Sequence, residues 1–339
     1  MRAYEITQAF GLENLKVVER PRPEPGPGQV AVAVSAVSLN YRDLLMVRGH
    51  YNPRQPLPLV PCSDGAGTVR AVGPGVSRVK VGDRVASCFF QGWSAGAVPR
   101  DKAALRSTLG GPLGGTLAEE VILEEGGVVA APAGLSDEEV ATLPCAALTA
   151  YSALLRQGGL QPGDTLLIQG TGGVALFGLA FAKMAGARVI ITSSSDEKLE
   201  RARALGADET INYKSTPEWG KAARALTDGA GVDHVLELGG AGTMQESLRA
   251  VRAGGHISLI GVLAGGAAKL DLTPVLMQNV RIQGVLVGSR SDFEAMNRAI
   301  VQHDLRPVID RTFAFDEAPA AFEHMGAAAH FGKICVRVG

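Results

Sequence analysis

Leu166-Leu167-Ile168-Gln169-Gly170-Thr171-Gly172-Gly173-Val174-Ala175 is the stretch on which the fold of this chain turns. An apolar strand runs into a glycine-rich turn, and the turn runs into a helical pattern over Leu176–Gly186. This is the strand–turn–helix setting in which Gly-x-Gly-x-x-Gly/Ala binds a dinucleotide. Gly170 permits the tight turn, Gly172 lets the backbone approach a pyrophosphate, and Ala175 lets the helix lie close to the strand. The phosphates then sit over unpaired N–H groups at the positive end of a helix.

Strand and helix patterns alternate outward from this point. The spacing predicts strand 165–169, helix 174–186, strand 188–192, helix 196–205, a short strand near 208–211 and helix 217–227. Strand 233–237, helix 242–253, strand 256–260 and strand 280–287 follow. Such alternation predicts a doubly wound α/β domain with a parallel sheet. Residues 1–125 instead read as β-rich, with Gln29–Val37 alternating and turns such as Gly73-Pro74-Gly75 between short apolar runs. Ser136-Asp137-Glu138-Glu139 is a helix start, a polar cap with acids in the first turn, and the helix is expected to run to about Leu155. The last stretch, with a helix over Asp292–His303, reads as the chain crossing back to complete the first domain.

At 339 residues two domains are the prior. A formal charge of −1 offers no field for nucleic acid or anionic lipid. No apolar run approaches a membrane span, and Met1–Glu5 reads as a strand start rather than a signal region. Cys62, Cys88, Cys145 and Cys335 are scattered without a C-x-x-C pair, which argues against a disulfide framework and a zinc ribbon. A cytoplasmic protein is the expectation.

An acidic residue at the tip of the second strand normally binds the ribose hydroxyls of NAD. Here strand Arg188–Thr192 ends in Ser193-Ser194-Ser195. Three hydroxyls tolerate a 2′-phosphate, and Lys198 lies one turn into the next helix. The other reading of these residues is a helix cap, Ser195, followed by a solvated face. NADP(H) is expected over NAD(H).

The chain resembles the medium-chain dehydrogenase/reductases, which join a GroES-like catalytic domain to an inserted Rossmann domain. Pro25-Gly26-Pro27-Gly28-Gln29-Val30, Asn40-Tyr41-Arg42-Asp43, Asp64-Gly65-Ala66-Gly67, Val81-Gly82-Asp83-Arg84-Val85, Ala118-Glu119, Leu143 to Tyr151, the glycine turn, Ala204-Leu205-Gly206-Ala207-Asp208 and Gly332-Lys333 carry the resemblance. It implies a catalytic domain of 1–125 plus 289–339 and a Rossmann domain of 126–288. In zinc-dependent members a cysteine, a His-Glu pair and a later cysteine surround the metal. Those positions are Asn40, Ser63-Asp64 and Cys145 here, so no zinc is expected. The Asn40-x-x-Asp43 pattern resembles the zinc-free quinone oxidoreductases and enoyl reductases, in which both residues lie near the nicotinamide. Tyr51 falls where those reductases carry a tyrosine, whereas Leu45 stands where quinone oxidoreductases often have another.

The candidate catalytic residues are therefore Tyr51, Asn40 and Asp43, with backbone N–H groups near Gly261–Leu263 as further donors to a developing oxyanion. Each has a plainer reading: a packed turn before Pro53 for Tyr51, a backbone hydrogen bond for Asn40, an ion pair with Arg42 or Arg48 for Asp43. Tyr41, Phe89, Trp93 and Cys145 are candidate pocket residues, although Trp93, Phe89 and Phe90 equally suit a loop core. The resemblance adds Thr149, Tyr213, Val287 and Gly288 to a cofactor set of Gly170, Thr171, Gly172, Gly173, Val174, Ser193, Ser194, Ser195, Lys198, Gly239, Gly261, Val262 and Leu263. It also implies a homodimer through strand 280–287.

The expected activity is hydride transfer from NADPH to an activated double bond or a quinone, with an apolar enone, quinone or aldehyde as substrate. The rivals are an alcohol dehydrogenase or carbonyl reductase working without metal, and a non-catalytic NADPH-binding sensor. No nucleic-acid or membrane partner is expected.

Overall fold

The computed structural model describes every residue, Met1 to Gly339. The chain forms two units, Met1–Leu148 with Gly288–Gly339, and Thr149–Val287. No helix is long and apolar enough to cross a membrane.

In the first unit β1 (Arg2–Ile6) pairs antiparallel with β2 (Leu15–Glu19). The long β3 (Gln29–Leu39) is the spine of a seven-stranded sheet. It pairs with β4 (Asp64–Val72), which continues through β5 (Arg84–Ser87) to a short strand at the sheet edge. The first half of β3 also pairs with β6 (Glu120–Glu124), and the edge strand beside β5 is β7 (Val128–Ala130). Because β7 belongs to this sheet, the unit reaches past residue 125, to Leu148.

The helical stretch opens at Ser136 as the capping box predicts: Ser136 Oγ accepts from Glu139 N at 3.2 Å and Glu139 Oε2 from Ser136 N at 2.8 Å. It is not one α-helix to Leu155. Two wider, π-type turns, Leu143–Ala147 and Ser152–Gly158, interrupt it, and it ends at Gly159. Pro144, near the start of the first, has no N–H for an α-helical bond.

In the second unit six strands form a wholly parallel sheet: β8 (Thr165–Gln169), β9 (Arg188–Ser193), β10 (Glu209–Asn212), β11 (Val232–Glu237), β12 (Val251–Leu259) and β13 (Arg281–Gly284). Their order, β10-β9-β8-β11-β12-β13, reverses between β8 and β11. That reversal is where a doubly wound sheet opens a crevice at its carboxyl edge. The apolar runs predicted as strands are buried on both faces: Leu166, Leu167, Ile168, Val189, Ile190 and Ile191 are all fully buried. The last strand stops at Gly284, short of the expected residue 287, and Val287 adopts φ +43°.

The chain then returns to the first unit. Helix Arg290–Gln302, capped by Ser289, leads to β14 (Ile309–Ala314). Helix Ala318–Gly326 leads to β15 (Lys333–Arg337), which lies antiparallel along the second half of β3, Ile334 opposite Leu39. Leu39, Leu44, Met46, Phe322, Ile334 and Val336 share one core, so the C-terminal strand is tied to the segment that carries Asn40.

Candidate active site

In the first unit the β3–β15 pairing positions the candidate residues. Asn40 ends β3 and precedes helix Tyr41–Val47, and Asp43 Oδ2 accepts from Asn40 N at 2.8 Å. Lys333, first residue of β15, is only 3% exposed. Its Nζ donates to Leu39 O at 2.7 Å and to Asn40 Oδ1 at 2.6 Å. An ammonium has no lone pair, so the carboxamide oxygen must face Lys333 and the NH2 must face the other way. On that side Asn40 Nδ2 lies 3.5 Å from Ser63 Oγ, and the amide favours the charged form of the nearby Asp64 carboxylate. Asp64 also accepts from Ser63 Oγ at 2.6 Å and from Cys145 N at 3.1 Å.

Burial raises the Asp64 pKa, opposed by the Lys333 ammonium and the surrounding donors. Asp43 is fully buried, and desolvation pushes it up to about 6 against the nearby Arg42. The Cys145 thiol is pushed well above its ordinary range by burial and by Asp64, so it is a poor thiolate. The positions that the resemblance gives to metal ligands thus hold an amide, a hydroxyl and a carboxylate in contact with one another, and a cysteine that joins them through its backbone N–H. No three His, Cys, Asp or Glu side chains are placed to hold a metal ion. This donor set does not fit tetrahedral zinc.

Asp43 therefore lies beneath the site, as a cap and as the 3.3 Å partner of Arg42. Arg42 also donates to Leu109 O at 2.7 Å and Gly111 O at 3.0 Å, and its guanidinium stacks near Tyr51 (4.9 Å) and Phe89 (5.3 Å). Tyr51 is 52% exposed and Tyr41 42%, so both rings are accessible. Phe89 and Trp93 are not: both are buried, with Trp93 edge-on to Phe90 at 5.6 Å. Loop core is the reading the structure gives Trp93. Cys145 is half-buried.

In the second unit most of the expected cofactor residues follow the carboxyl ends of the strands, and Thr149 lies on the helix Leu148–Tyr151. Gly170 has φ +75°, which an L side chain resists. Gly172 begins helix Gly173–Met184 with no side-chain cap, and a methyl group there would meet no protein atom within 4 Å. The space over this helix N-terminus is open, with Thr171, Gly173 and Val174 beside it. The chain thus has the cradle a dinucleotide pyrophosphate needs. Thr149 is buried.

At the tip of β9, Ser193 Oγ accepts from Ser195 N and Ser195 Oγ from Lys198 N, each at 3.4 Å. Ser194 is half-buried. Asp196 is turned to Asn212, whose Nδ2 donates to it at 2.7 Å. Tyr213 is 42% exposed past β10. Val262 and Leu263 project after β12, 57% and 59% exposed. The N–H groups of Gly261 and Leu263 are already bonded to Glu237 O and Leu238 O, so they do not serve as free oxyanion donors. Val287, left-handed and β-branched, and Gly288 form the exit from the unit.

One pair escaped the sequence reading. Gln169, last of β8, donates to Glu237, last of β11, at 2.7 Å, and accepts from Leu238 N and Gly239 N at 3.0 Å. Glu237 is fully buried and also accepts from Gly239 N, Gly240 N, Thr243 Oγ1 and Ser247 Oγ. Buried polar residues ending neighbouring parallel strands were the available signal.

Two family profiles match: an alcohol dehydrogenase GroES-like domain over residues 26–133 and a zinc-binding dehydrogenase over residues 173–302. The chain is 43% identical over 309 residues to zinc-type alcohol dehydrogenase-like protein C1773.06c of Schizosaccharomyces pombe, covering 89% of each chain. A solved structure of an NAD-dependent alcohol dehydrogenase matches at TM-score 0.92 and 36% identity over 100% of both chains. The acryloyl-coenzyme A reductase of Sulfurisphaera tokodaii is 28% identical, covering 88% of this chain and 89% of its own. A glycine cradle at the crest of a doubly wound sheet, a returning C-terminal strand and these full-length likenesses agree: the chain belongs to the medium-chain dehydrogenase/reductase superfamily of nicotinamide-dependent oxidoreductases.

Proposed function

We propose that this protein is a zinc-independent, NADPH-dependent reductase of activated carbon–carbon double bonds or quinones. The carrying observation is the closed hydrogen-bond network of Lys333, Asn40, Ser63 and Asp64 where zinc-type relatives place a metal. Without a Lewis acid, alcohol oxidation loses its main source of alkoxide, whereas an α,β-unsaturated carbonyl needs only donors for the charge on its oxygen.

When bound, the nicotinamide supplies a hydride to the β-carbon. The Asn40 NH2 and the Tyr51 hydroxyl stabilise the enolate oxygen. Tyr51, or a water it orients, then delivers a proton to the α-carbon, leaving a saturated carbonyl and NADP+. Asp43 and Arg42 hold Asn40 and the Tyr51 ring in place. The serine tip of β9, free of carboxylates, supports NADPH over NADH. The exposed edge strand β13, beside exposed Leu272, Leu276 and Met277, supports a homodimer. Four free thiols suit a reducing compartment such as the cytoplasm.

A second reading, carbonyl reduction or alcohol oxidation without metal, is supported by the alcohol dehydrogenase names of the nearer relatives. Oxidation of NADPH and NADH against enones, quinones and aldehydes separates the two. Faster turnover of enones or quinones with NADPH supports the proposal. Turnover confined to aldehydes, or a lower KM for NADH, refutes it. Sedimentation as a monomer at micromolar concentration refutes the dimer.

A further inference from the structure

The Lys333 ammonium is nine-tenths buried or more and forms no ion pair with a carboxylate. Its two hydrogen bonds go to neutral oxygens, Leu39 O and Asn40 Oδ1. A buried charge of this kind costs several kcal/mol unless something compensates it. The Asp64 carboxylate does so through the Asn40 amide: charge at Lys333, carboxamide dipole, opposite charge at Asp64. Counted with Arg42 and Asp43, the buried cluster holds two positive and two negative side chains. It is neutral, and every member bonds through Asn40 or through its helix.

Asn40 presents an NH2 whose contact with Ser63 is long, so it has a proton that a substrate oxygen can use. Its orientation is dictated from behind. Turned over, the amide would set its oxygen against the Asp64 carboxylate and its NH2 against the ammonium, two repulsions at once. The 3.5 Å contact from Nδ2 to Ser63 is at the outer limit of a hydrogen bond, so it is the one a better acceptor displaces.

We propose that Lys333 is a positioning residue for the reduction: by clamping the Asn40 carboxamide oxygen it fixes the NH2 as the donor presented to the substrate's carbonyl oxygen. This rests on the reductase reading above. The carbonyl oxygen gains charge as hydride arrives, so a donor fixed beforehand favours the transition state over the bound substrate. Loss of the clamp therefore affects kcat rather than cofactor binding.

The test compares wild type, Lys333→Met, Asn40→Ala and the double variant on the best substrate of the enone, quinone and aldehyde panel. The same proteins, labelled with 15N-asparagine, report the Asn40 side-chain NH2 resonance. Expected for Lys333→Met are a kcat about 10²-fold lower, a KM for NADPH within about twofold of wild type, and a shifted Asn40 NH2 signal. The double variant is expected to be no slower than Asn40→Ala alone, because Lys333 acts through Asn40. An unchanged kcat, a loss confined to KM, additive losses in the double variant, or an unmoved NH2 signal overturns the proposal. If Lys333→Met does not fold, Lys333→Arg takes its place in both measurements, since the planar fork cannot reproduce the two short ammonium contacts. If wild type reduces none of the panel, the reductase reading fails. The NH2 signal then judges the clamp alone, an unmoved signal overturning it and a shifted one supporting it.

Discussion

Gly172→Ala separates two roles a glycine can have. The residue sits at φ −81°, ψ −173°, an extended conformation that alanine adopts without strain. A methyl group there meets no protein atom within 4 Å. The folded protein therefore has nothing to lose, and the unfolded chain loses freedom, so stability should hold or rise by about 0.4–1 kcal/mol. The methyl group instead fills the space through which a pyrophosphate reaches the first N–H groups of helix Gly173–Met184. Losing one hydrogen bond to a charged phosphate costs about 1.5–3 kcal/mol. At 1.4 kcal/mol per decade, the NADPH dissociation constant should rise about 10- to 150-fold. Gly170→Ala is the control with the opposite signature: at φ +75° it should cost about 1–2 kcal/mol of stability. Fluorescence titration with NADPH and thermal melting of both variants give the answer. Wild-type affinity in Gly172→Ala would mean that the turn is no phosphate cradle. A melting point lowered by several degrees would mean that the space is not open.

Glu237→Ala leaves the N–H groups of Gly239 and Gly240 and the side chains of Gln169, Thr243 and Ser247 short of an acceptor in a buried site. It should cost about 3–5 kcal/mol in urea unfolding, and a loss below about 1 kcal/mol would show the network is dispensable. Burial, with Arg281 beside it, lowers the His256 pKa from 6.5 to about 4. A histidine depressed in the folded state is neutral and costless above the unfolded value; stability is lost as pH falls from about 6.5 towards 4. The full shift corresponds to about 3 kcal/mol. His256→Gln should flatten the urea midpoint against pH in that window, and a slope equal to wild type would remove His256 as the cause. Tyr51→Phe keeps the ring near Arg42 but deletes the hydroxyl. Enone turnover should fall about 10²-fold with NADPH affinity unchanged, and undiminished turnover would take Tyr51 out of the mechanism.

Local chemistry is what a sequence displays best. The turn at Gly170–Ala175 was legible because its glycines, its preceding apolar run and its following helix lie within a dozen residues. The cap at Ser136 was legible for the same reason. The role of Lys333 was not: Gly332-Lys333 carries part of the resemblance, but the partner that gives the lysine its role, Asn40, lies 293 positions away. Gln169 and Glu237, 68 positions apart, were hidden likewise. Trp93 stays open in the sequence, since an aromatic in a glycine-rich loop is compatible with both a pocket wall and a small core, and its packing against Phe90 is a contact that only the fold displays. One helix to Leu155 overlooks Pro144, which lies well past the first turn from Ser136, and its missing N–H marks where the α-helical bonding gives way.

The bond between Gln169 and Glu237 also bears on how a dinucleotide is received. The N–H groups of Gly239 and Gly240 are spoken for before any ligand arrives. A loop so tethered offers an entering nucleotide a shape but few new polar contacts. Recognition of its phosphates is thereby concentrated in the turn after β8. The loop after β11 has little disorder left to surrender, so its ordering should add little to the entropic cost of binding. The two strand tips act as a preset mould in which one rim grips and the other merely confines.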